Sequence, residues 1–281
     1  MIPKPLIIDI SEWQLPSKIN YDQLARQVAG VIVRIQYGSN YVDKHFQTHI
    51  REFQKRNIPV AVYAWVRGTS IKMMEQEAID FYQRGSIFQP TFWWLDVEEQ
   101  SMTDMRAGCE AFRKKLKQLG AKKVGAYIAN HLYGKFNLDV AKFEGIWLPT
   151  YGKNTGLYEG YTPTASKNYH LHQYTSAGKL TGYAGNLDFN RLVKGELAYF
   201  FGQNKVVVAD KGIRFCLDTA IYLRKAPRTT ADSITLLKKG EEILIQQLAI
   251  GEAYLWGEQL RKDGSRGYVA LGLFEPYGNF I

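Results

Sequence analysis

The first 200 residues alternate short apolar runs with amphipathic stretches, and this alternation restricts the fold more than any other feature. The eight apolar runs are 6–10, 30–36, 60–66, 92–97, 124–129, 146–150, 169–174 and 186–190. Four segments between the early runs show helical spacing of apolar residues: 21–28, 43–56, 71–84 and 103–119. Apolar strands separated by helices are typical of parallel strands buried on both faces. Eight of them fit a closed α/β barrel better than an open sheet.

The second half of this barrel is expected to be irregular. The last three runs leave little room for helices between them, and residues 151–169 are rich in Gly, Thr and Tyr, which is typical of a loop. The sequence therefore predicts a TIM-like (β/α) barrel that is regular in its first half and poor in helices in its second.

The pattern changes near Phe200. Short strands are predicted at 220–224, 242–249, 253–261 and 267–271, and Asp263-Gly264 supplies a hairpin turn because this pair accepts a positive φ. About five short strands in so few residues predict a small all-β barrel. We therefore expect a barrel domain over 1–200, a linker over 201–206 and a β domain over 207–281.

Composition excludes several classes of protein. Hydrophobic residues make up 46% of the chain and charged residues 22%, so long disorder and collagen-like repeats are excluded. No apolar run approaches the roughly 18 residues of a membrane span. The first ten residues lack a basic region followed by an apolar stretch, so we expect synthesis and folding in a cytoplasm. Cys109 and Cys216 fall in different predicted domains and are expected to be free thiols.

The chain is basic, with a net charge of +9. Residues 206–281 hold ten Lys and Arg against nine Asp and Glu, so +8 of that charge lies in residues 1–205. A basic protein favours polyanions such as nucleic acid, anionic lipid or anionic wall polymer. No RNP, zinc-finger or helix-turn-helix pattern occurs, which argues against nucleic acid. The 14% of aromatic residues suit flat sugar rings, although they also fill cores.

Acidic residues lie at the ends of three predicted strands, where parallel barrels place their chemistry. Asp9 belongs to the first run, Asp96 and Glu98 end the fourth, and Asp188 lies in the last. Asp96 and Glu98 are two apart on a strand, so they point to the same side with Cα atoms roughly 6.5 Å apart. Adjacent carboxylates raise the pKa of one of them. The result is an acid beside a carboxylate that can stabilise positive charge, as cleavage of a glycosidic bond requires.

Structural roles remain open for each of these residues. Asp96 and Glu98 could form salt bridges with basic neighbours or cap the following helix. Asp9 could form an Asx-turn with Ser11, and Asp188 could pair with Arg191.

Metal chemistry is not expected. His45 and His49 have i, i+4 spacing, but H-E-x-x-H is absent, so an exposed helix face is the expected setting for them. No Walker loop, nucleotide-binding glycine motif or nucleophile elbow occurs. We therefore expect neither a metal nor a cofactor.

These residues lie in motifs that resemble glycoside hydrolase family 25, the lysozymes (muramidases), many of them from bacteriophages. Residues 9–14 resemble the D-x-S-x-x-Q opening of that family, and 95–98 resemble its D-x-E. Further similarities, in order along the chain, are 62–65, 124–127, 147–151, 172–175 and 186–190. The resemblance covers about residues 3–195. Two departures are His172, where the family usually has Trp, and Tyr63-Ala64-Trp65, where it more often has Y-H-F/Y.

The tail resembles a bacterial SH3-like domain that binds cell wall, over about residues 207–275. The segments that carry this looser similarity are 222–227, 236–241 and 267–269. The resemblance thus implies an irregular TIM-like barrel followed by a small SH3-like barrel.

The family resemblance implies cleavage of peptidoglycan between N-acetylmuramic acid and N-acetylglucosamine. It makes Glu98 the general acid/base, with Asp96, Asp9 and Asp188 completing the acidic site. Asp96 sits beside Glu98 and is therefore poorly placed as a nucleophile on the opposite sugar face. We expect the substrate's 2-acetamido oxygen to attack, with Asp96 stabilising the oxazolinium-like charge and configuration retained. The open alternative is inversion, with Asp9 or Asp188 activating water.

Six further residues are candidates for substrate contact. Gln173 is the candidate for the acetamido group. The aromatic candidates for sugar contact, each equally compatible with filling the core, are Tyr63, Trp65, Tyr127, Trp147 and Tyr151.

The implied partner is the peptidoglycan of a Gram-positive wall, together with anionic wall polymers, without nucleic acid or membrane insertion. A chain without a visible signal fits a phage or prophage endolysin that is made in the host cytoplasm and acts on the wall after release. Two other classes remain: a non-catalytic wall-binding protein on a hydrolase scaffold, and a chitinase-type hydrolase. The chitinase motif D-x-x-D-x-D-x-E needs acids at positions 91 and 94, where this chain has Thr91 and Trp94.

Overall fold

The structure is a computed structural model that describes residues 1–202, 213–251, 254–261, 263–272 and 278–280. The chain divides into two compact units, Met1–Asn204 and Lys205–Ile281. The strands of the first unit are β1 (Leu6–Ile10), β2 (Gly30–Tyr37), β3 (Tyr41–Val42), β4 (Val60–Trp65), β5 (Trp93–Val97), β6 (Val124–Ile128), β7 (Gly145–Pro149), β8 (Leu171–Leu180) and β9 (Tyr183–Leu192). Its helices are α1 (Tyr21–Ala25), α2 (Phe46–Gln54), α3 (Ile71–Gly85), α4 (Met105–Leu119), α5 (Tyr133–Phe136) and α6 (Leu197–Phe201), with short 3₁₀ turns at Pro16–Lys18, Ser86–Phe88 and Val140–Lys142.

Eight strands form a closed barrel. Their order is β1-β9-β8-β7-β6-β5-β4-β2, and pairing of β2 with β1 closes the ring, while β3 adds a short antiparallel strand to β2. Each predicted apolar run overlaps one barrel strand, and the four predicted helices correspond to α1–α4. The sequence prediction of an α/β barrel is therefore confirmed.

The prediction that all eight strands are parallel is wrong for the last one. β9 is antiparallel to both β8 and β1. Leu180 pairs with Tyr183, so only Thr181 and Gly182 connect the two strands. A parallel connection needs a crossover of a dozen or more residues, whereas two residues allow only a hairpin. Gly182 has a φ of +100°, which glycine adopts readily. The expected loop over 151–169 is present, since residues 150–170 contain neither helix nor strand.

The helices on the outside begin and end at residues that satisfy their free backbone groups. Ser70 accepts a hydrogen bond from Met73 N–H at the start of α3, and Asp104 accepts one from Ala107 N–H at the start of α4. Gly120, with a φ of +112°, ends α4. Apolar side chains on the inner faces of these helices, together with the outward side chains of the strands, form the main core of the unit.

The interior of the barrel holds a second apolar core at its amino-terminal end. Its members come from seven barrel strands, the residue before β5 and α6: Ile7, Ile32, Ala61, Phe92, Trp94, Tyr127, Trp147, Leu171, Phe200 and Phe201. A Cβ at Gly30 would lie 2.5 Å from the Phe201 ring, so the barrel wall is shaped to receive that side chain. Phe201 was predicted to begin the linker, and the structure corrects this because the ring fills the barrel floor. Residues 203–206 of the predicted linker lie outside the described residues.

Described strands of the second unit are β10 (Ile213–Leu217), β11 (Ile221–Arg224), β12 (Ser233–Leu237), β13 (Glu242–Ile245), β14 (Gln247–Gly251), β15 (Tyr254–Leu260), β16 (Arg266–Gly272) and β17 (Gly278–Phe280). They form a three-stranded sheet, β13-β10-β17, and a five-stranded sheet, β12-β11-β16-β15-β14. Leu260 pairs with Arg266 and Gly264 has a φ of +80°, so the hairpin predicted at Asp263-Gly264 is confirmed. The predicted strand 242–249 is two strands that belong to different sheets, which the sequence analysis did not foresee.

Two further expectations concern side-chain chemistry and membranes. Cys109 is buried and Cys216 is half-buried, and both are free thiols as predicted. Within the part of the chain that the structure describes, no helix is long and apolar enough to span a membrane.

Candidate active site

A cavity of about 190 Å³ opens at the carboxyl-terminal end of the barrel strands, above the apolar floor. All ten residues singled out in the sequence line it: Asp9, Tyr63, Trp65, Asp96, Glu98, Tyr127, Trp147, Tyr151, Gln173 and Asp188. The sequence analysis missed three other lining residues, Ser11, Trp13 and Arg34.

Strand alternation explains why these side chains meet. Successive residues of a strand point to opposite faces, so every second residue of a barrel strand faces the interior. On β5, Trp94 therefore points into the apolar floor. Asp96, two residues later, points into the interior nearer the carboxyl-terminal end of the barrel, and Glu98 follows just past the strand end. The prediction that Asp96 and Glu98 share a side is confirmed, because both line the cavity.

Asp9 is held by amide donors. Gln173 Nε2 lies 3.1 Å from Oδ1 and 3.0 Å from Oδ2 of Asp9, and Asn190 Nδ2 donates to Oδ2 at 2.7 Å. Burial raises the pKa of Asp9 to about 6, and these hydrogen bonds limit the rise because they stabilise the anion. Asp9 is therefore a carboxylate at neutral pH. The alternative of an Asx-turn with Ser11 is not observed, since the Ser11 N–H donates to Gln14 Oε1 at 2.9 Å.

Asp188 is the direct partner of Asp9 across the β1–β9 ladder. Burial, followed by repulsion from Asp9 and Glu98, raises the pKa of Asp188 to about 8. It is therefore protonated at neutral pH and hydrogen-bonds to Asp9. The alternative of a pair with Arg191 is not observed, because Arg191 Nε donates to His172 Nδ1 at 3.1 Å and its guanidinium lies over the Tyr158 ring.

Asp96 and Glu98 form a second carboxyl pair. Burial raises the pKa of Glu98 to about 7, and burial together with the charge of Glu98 raises the pKa of Asp96 well above its usual value. The two side chains hydrogen-bond to each other and so hold a proton between them near neutral pH. Neither caps the following helix, since Asp104 does so. Asp96 Oδ1 is buried without a hydrogen-bond partner among the described residues.

The Gln173 side chain joins three parts of the cavity wall. Its Nε2 faces Asp9, while its Oε1 accepts hydrogen bonds from Tyr127 at 2.9 Å and Tyr151 at 2.7 Å. The sequence analysis named Gln173 as a candidate for binding the substrate's acetamido group, and this stays a prediction. The hydrogen bonds that the structure shows for the amide position Asp9.

The aromatic candidates differ in their surroundings. Trp147 is only 2% exposed, and its indole N–H donates to Asn190 Oδ1 at 2.8 Å, so it forms the packed base of the cavity. Tyr63 meets the Trp147 ring edge to face. Trp65 is half-buried, and its indole N–H donates to Glu99 at 3.2 Å. The alternative that aromatic residues fill the core therefore applies best to Trp147.

Comparison with known proteins settles the family. The model of the glycosyl hydrolases family 25 matches residues 8–183, which is more than half of the chain. The chain belongs to this family. It is a glycoside hydrolase, and its four carboxyl groups line one cavity at the carboxyl-terminal end of the barrel strands. Among curated proteins, no sequence matches this chain.

Several solved structures resemble this family 25 enzyme, and the following three cover 70–71% of its length. One is GHIP of Streptococcus pneumoniae, a glycosyl hydrolase 25 described as a virulence factor in host cell invasion. Its sequence is 40% identical to this chain. The match covers 70% of this chain and 93% of that chain, with a TM-score of 0.68. The catalytic domain of endolysin ply40 from bacteriophage P40 of Listeria monocytogenes is 26% identical, covering 70% and 97%, at a TM-score of 0.65. A lysozyme from Streptomyces coelicolor, at 19% identity, coverage of 71% and 97% and a TM-score of 0.58, shares the fold.

Arg34 is the cation among the lining residues of this family 25 cavity. Its Nε lies 3.1 Å from Asp43 Oδ2 and its Nη2 lies 3.5 Å from Glu12 Oε1. Its positive charge favours the ionised form of Asp96. One signal in the sequence could have revealed it: Arg34 is a charged residue inside the apolar run 30–36, at a position that alternation directs inward.

His49 does not lie on an exposed helix face, and that expectation was wrong. The imidazole is buried, and its Nδ1 lies 2.7 Å from the Tyr21 hydroxyl. Burial lowers the pKa of His49 to about 4, so the ring is neutral. No group of three or more potential metal ligands occurs in the residues that the structure describes.

Proposed function

We propose that this family 25 enzyme is a muramidase that hydrolyses the β-1,4 bond between N-acetylmuramic acid and N-acetylglucosamine in peptidoglycan. The observation that carries the proposal is the arrangement of four carboxyl groups in two pairs around one cavity, with the pKa of Glu98 near 7. Such a group is protonated often enough to act as an acid at neutral pH. The similarity to an endolysin catalytic domain and to a lysozyme supports the same substrate class.

The geometry favours a retaining, substrate-assisted reaction. Glu98 donates its proton to the glycosidic oxygen as the C1–O bond breaks, and the 2-acetamido oxygen of the same sugar forms the new bond to C1. Asp96 lies next to Glu98 and has one buried oxygen without a partner, so it can accept the acetamido N–H and stabilise its positive charge. Water then attacks C1, Glu98 takes its proton, and the acetamido group is restored.

The inverting alternative is less well supported. It needs an ionised carboxylate with a free oxygen to activate water. Asp9 is ionised, but both its oxygens accept hydrogen bonds from Gln173 or Asn190. Asp188 is protonated at neutral pH because its pKa is about 8. Together these residues are suited to keeping the cavity rigid and balancing its charge.

We further propose that the second unit is an SH3-like domain that binds the Gram-positive wall, and that the protein acts as an endolysin after release from the host cytoplasm. Support comes from the sequence resemblance and from two small antiparallel sheets around a shared apolar core. The strong positive charge of residues 1–205 would also favour approach to anionic wall polymers.

Digestion of purified Gram-positive walls in ¹⁸O-labelled water tests the reaction. Mass spectrometry should find new reducing ends on N-acetylmuramic acid that carry ¹⁸O, and NMR should show the β anomer first. Glu98→Gln should fold normally and lose at least about 10²-fold in rate, the typical contribution of a general acid. Release of N-acetylglucosamine reducing ends, or equal activity on chitin, would contradict the assigned bond. The α anomer as first product would contradict retention.

A further inference from the structure

Trp13 combines two features that seldom occur together in one side chain. It lines the cavity that holds the four carboxyl groups, yet it is 76% exposed to solvent. By contrast, Trp94 and Trp147 in the same barrel are almost fully buried. A large apolar side chain left in water at the rim of a binding cavity marks a surface that gains stability when a ligand covers it.

The turn that carries Trp13 is held by hydrogen bonds at its start and end. Ser11 N–H donates to Gln14 Oε1 at 2.9 Å, and Gln14 N–H donates to the Ser11 carbonyl at 3.1 Å. Gln14 Nε2 also donates to the carbonyl of Asn186 on β9 at 3.4 Å. The turn after β1 is therefore stabilised by hydrogen bonds within the turn and by one hydrogen bond to β9.

The residue before Trp13, Glu12, contacts β2, β3 and the residue that follows β3. Glu12 N–H donates to Asp43 Oδ2 at 2.8 Å, and the Glu12 carboxylate accepts from the Tyr41 hydroxyl at 2.7 Å. The same carboxylate lies 3.5 Å from Arg34 Nη2. Trp13 is thus presented on a fixed backbone, which reduces the entropy that a ligand must remove when it binds.

The size of the cavity requires a further contact surface for a polymer. At about 190 Å³ it is smaller than the roughly 300 Å³ at which pockets begin to enclose a drug-sized ligand, so only a short part of a glycan fits inside. Glu98 follows β5, and β1 lies three strands away in the ring of eight, on the other side of the opening. A glycan that crosses the opening from Glu98 therefore passes over the turn after β1.

We propose that the Trp13 indole is a stacking platform for one pyranose ring of the glycan strand, on the β1 side of the bond that Glu98 cleaves. This inference rests on the proposed function. A pyranose ring has a face of C–H groups that packs flat on an aromatic ring, and the neutral indole adds no charge next to four acids. Because the contact is remote from the reacting atoms and present before and during the reaction, it should act on KM rather than on kcat.

The test compares Trp13→Ala and Trp13→Phe in the full chain, with Ile87→Ala as the matched control. Ile87 is 71% exposed in the turn between α3 and β5, at the opposite end of the barrel. The substrate is a peptide-free octasaccharide of alternating N-acetylglucosamine and N-acetylmuramic acid. Trp13→Ala should raise KM at least fivefold with kcat within twofold of the wild type. Trp13→Phe should recover most of the loss, and Ile87→Ala should match the wild type.

A binding measurement separates this inference from the proposed function. Calorimetric titration of Glu98→Gln with the same octasaccharide measures affinity without turnover, and adding Trp13→Ala should weaken it at least fivefold. If the wild type fails to cleave the octasaccharide but this loss of affinity is seen, the proposed function fails and the platform stands. If Trp13→Ala leaves KM and affinity unchanged, or Trp13→Phe is as weak as Trp13→Ala, the platform is wrong.

Discussion

Gln173 uses both ends of its amide on neighbours in the cavity wall. Its nitrogen faces both oxygens of Asp9, and its oxygen accepts from two tyrosine hydroxyls. Without Gln173, Asp9 would lose one of the hydrogen bonds that oppose the effect of burial, and its neutral form would be favoured more. The charge at the centre of the acidic cluster therefore depends on a residue that carries no charge itself.

Replacement of Gln173 by leucine should move the acid limb of the pH–activity profile. The loss of its donors destabilises the Asp9 anion, so the pKa of Asp9 should rise by about one unit above 6, and activity that needs ionised Asp9 should begin to fall at a higher pH. Initial rates on soluble glycan across the pH range measure this shift.

Tyr127→Phe is the control for Gln173→Leu. It removes a hydroxyl that donates to Gln173 Oε1 but leaves the amide donors on Asp9 in place. Its acid limb should stay within a few tenths of a pH unit of the wild type. If the acid limb of the pH–activity profile of Gln173→Leu is the same as that of the wild type, ionisation of Asp9 does not control that limb.

The sequence predicted which residues meet in the site, but it did not predict the hydrogen bonds and the burial that give each of them its role. Period-two alternation is local, so it correctly brought Asp96 and Glu98 to one side. The role of Gln173 depends on β8 lying beside β9 and β9 beside β1, which no local pattern reveals. Trp147 and Trp13 are the same residue type, and only the fold shows that one is packed inside the barrel and the other lies on its rim.

At the scale of elements, two glycines on adjacent strands accommodate one tryptophan. A Cβ at Gly125 on β6 would lie 2.4 Å from the Trp94 ring, and one at Gly145 on β7 would lie 2.8 Å from it. The indole is fully buried inside the barrel, where it stacks on Phe92. The strands can therefore close around Trp94 only where they carry no side chain.

Gly125→Ala should destabilise the barrel. The added methyl group collides with a ring that is surrounded on all sides, so overpacking should cost about 1–3 kcal/mol of unfolding free energy. Gly134→Ala is the control, because nothing lies within 4 Å of its Cβ position in α5 and alanine favours helix. Denaturant unfolding of both variants gives the comparison, and equal stabilities would show that Trp94 can move aside.

The elements that sequence analysis misjudged share a physical cause. The runs 169–174 and 186–190 are only the buried parts of β8 and β9, whose remaining residues form a more exposed hairpin with little apolar signal. The direction of β9 followed from the Thr181-Gly182 turn, which lies outside both runs. In the second unit, β10 and β12 are too short to show a clear alternation. The break between β13 and β14 falls at Gln246, and neither Gly nor Pro marks it.

At the scale of the whole molecule, the acidic cluster makes stability depend on pH. The pKa values of Asp9, Glu98 and Asp188 are about 6, 7 and 8 in the folded state, above their usual values of 3.8 for Asp and 4.5 for Glu. Between about pH 4 and pH 8 the folded chain therefore binds more protons than the unfolded chain. The free energy of unfolding contributed by these groups falls as the pH rises through that window.

Asp188→Asn should consequently raise the melting temperature at pH 7.5 by at least about 2–4 °C, since each kcal/mol corresponds to roughly that shift in a unit of this size. At pH 4 the gain should be much smaller, because Asp188 is then protonated in the folded state and the pH lies close to its ordinary value of 3.8, so folding requires little net protonation. Glu159→Gln, at an exposed site, should change the melting temperature little at either pH. A gain that is equal at both pH values would show that it does not come from the protonation that folding requires of Asp188.

The division into two units predicts the behaviour of a chain that ends at Asn204. It should fold and cleave soluble glycan at the full-length rate, because every barrel strand and the α6 floor precede that residue. It should bind intact walls more weakly, since one of two tethered contacts is lost.

A wall pull-down across a salt series measures this effect. Residual binding of the basic barrel should be more sensitive to salt than binding of the full chain. Undiminished wall binding by the shortened chain, at all salt concentrations, would show that the second unit is not a targeting module.

The antiparallel β9 has a consequence for how the chain acquires its structure. Asp9 pairs with Asp188, so β1 obtains its second neighbour only after nearly the whole first unit has been synthesised. Until then one edge of an apolar strand remains open, which is a template for association with other chains. Contacts between residues so distant along the chain also form slowly. Pairing of β9 with β1 and packing of α6 into the barrel floor should therefore be late steps on the folding pathway. Folding intermediates in which β9 and α6 are not yet in place should be the species that aggregate during expression.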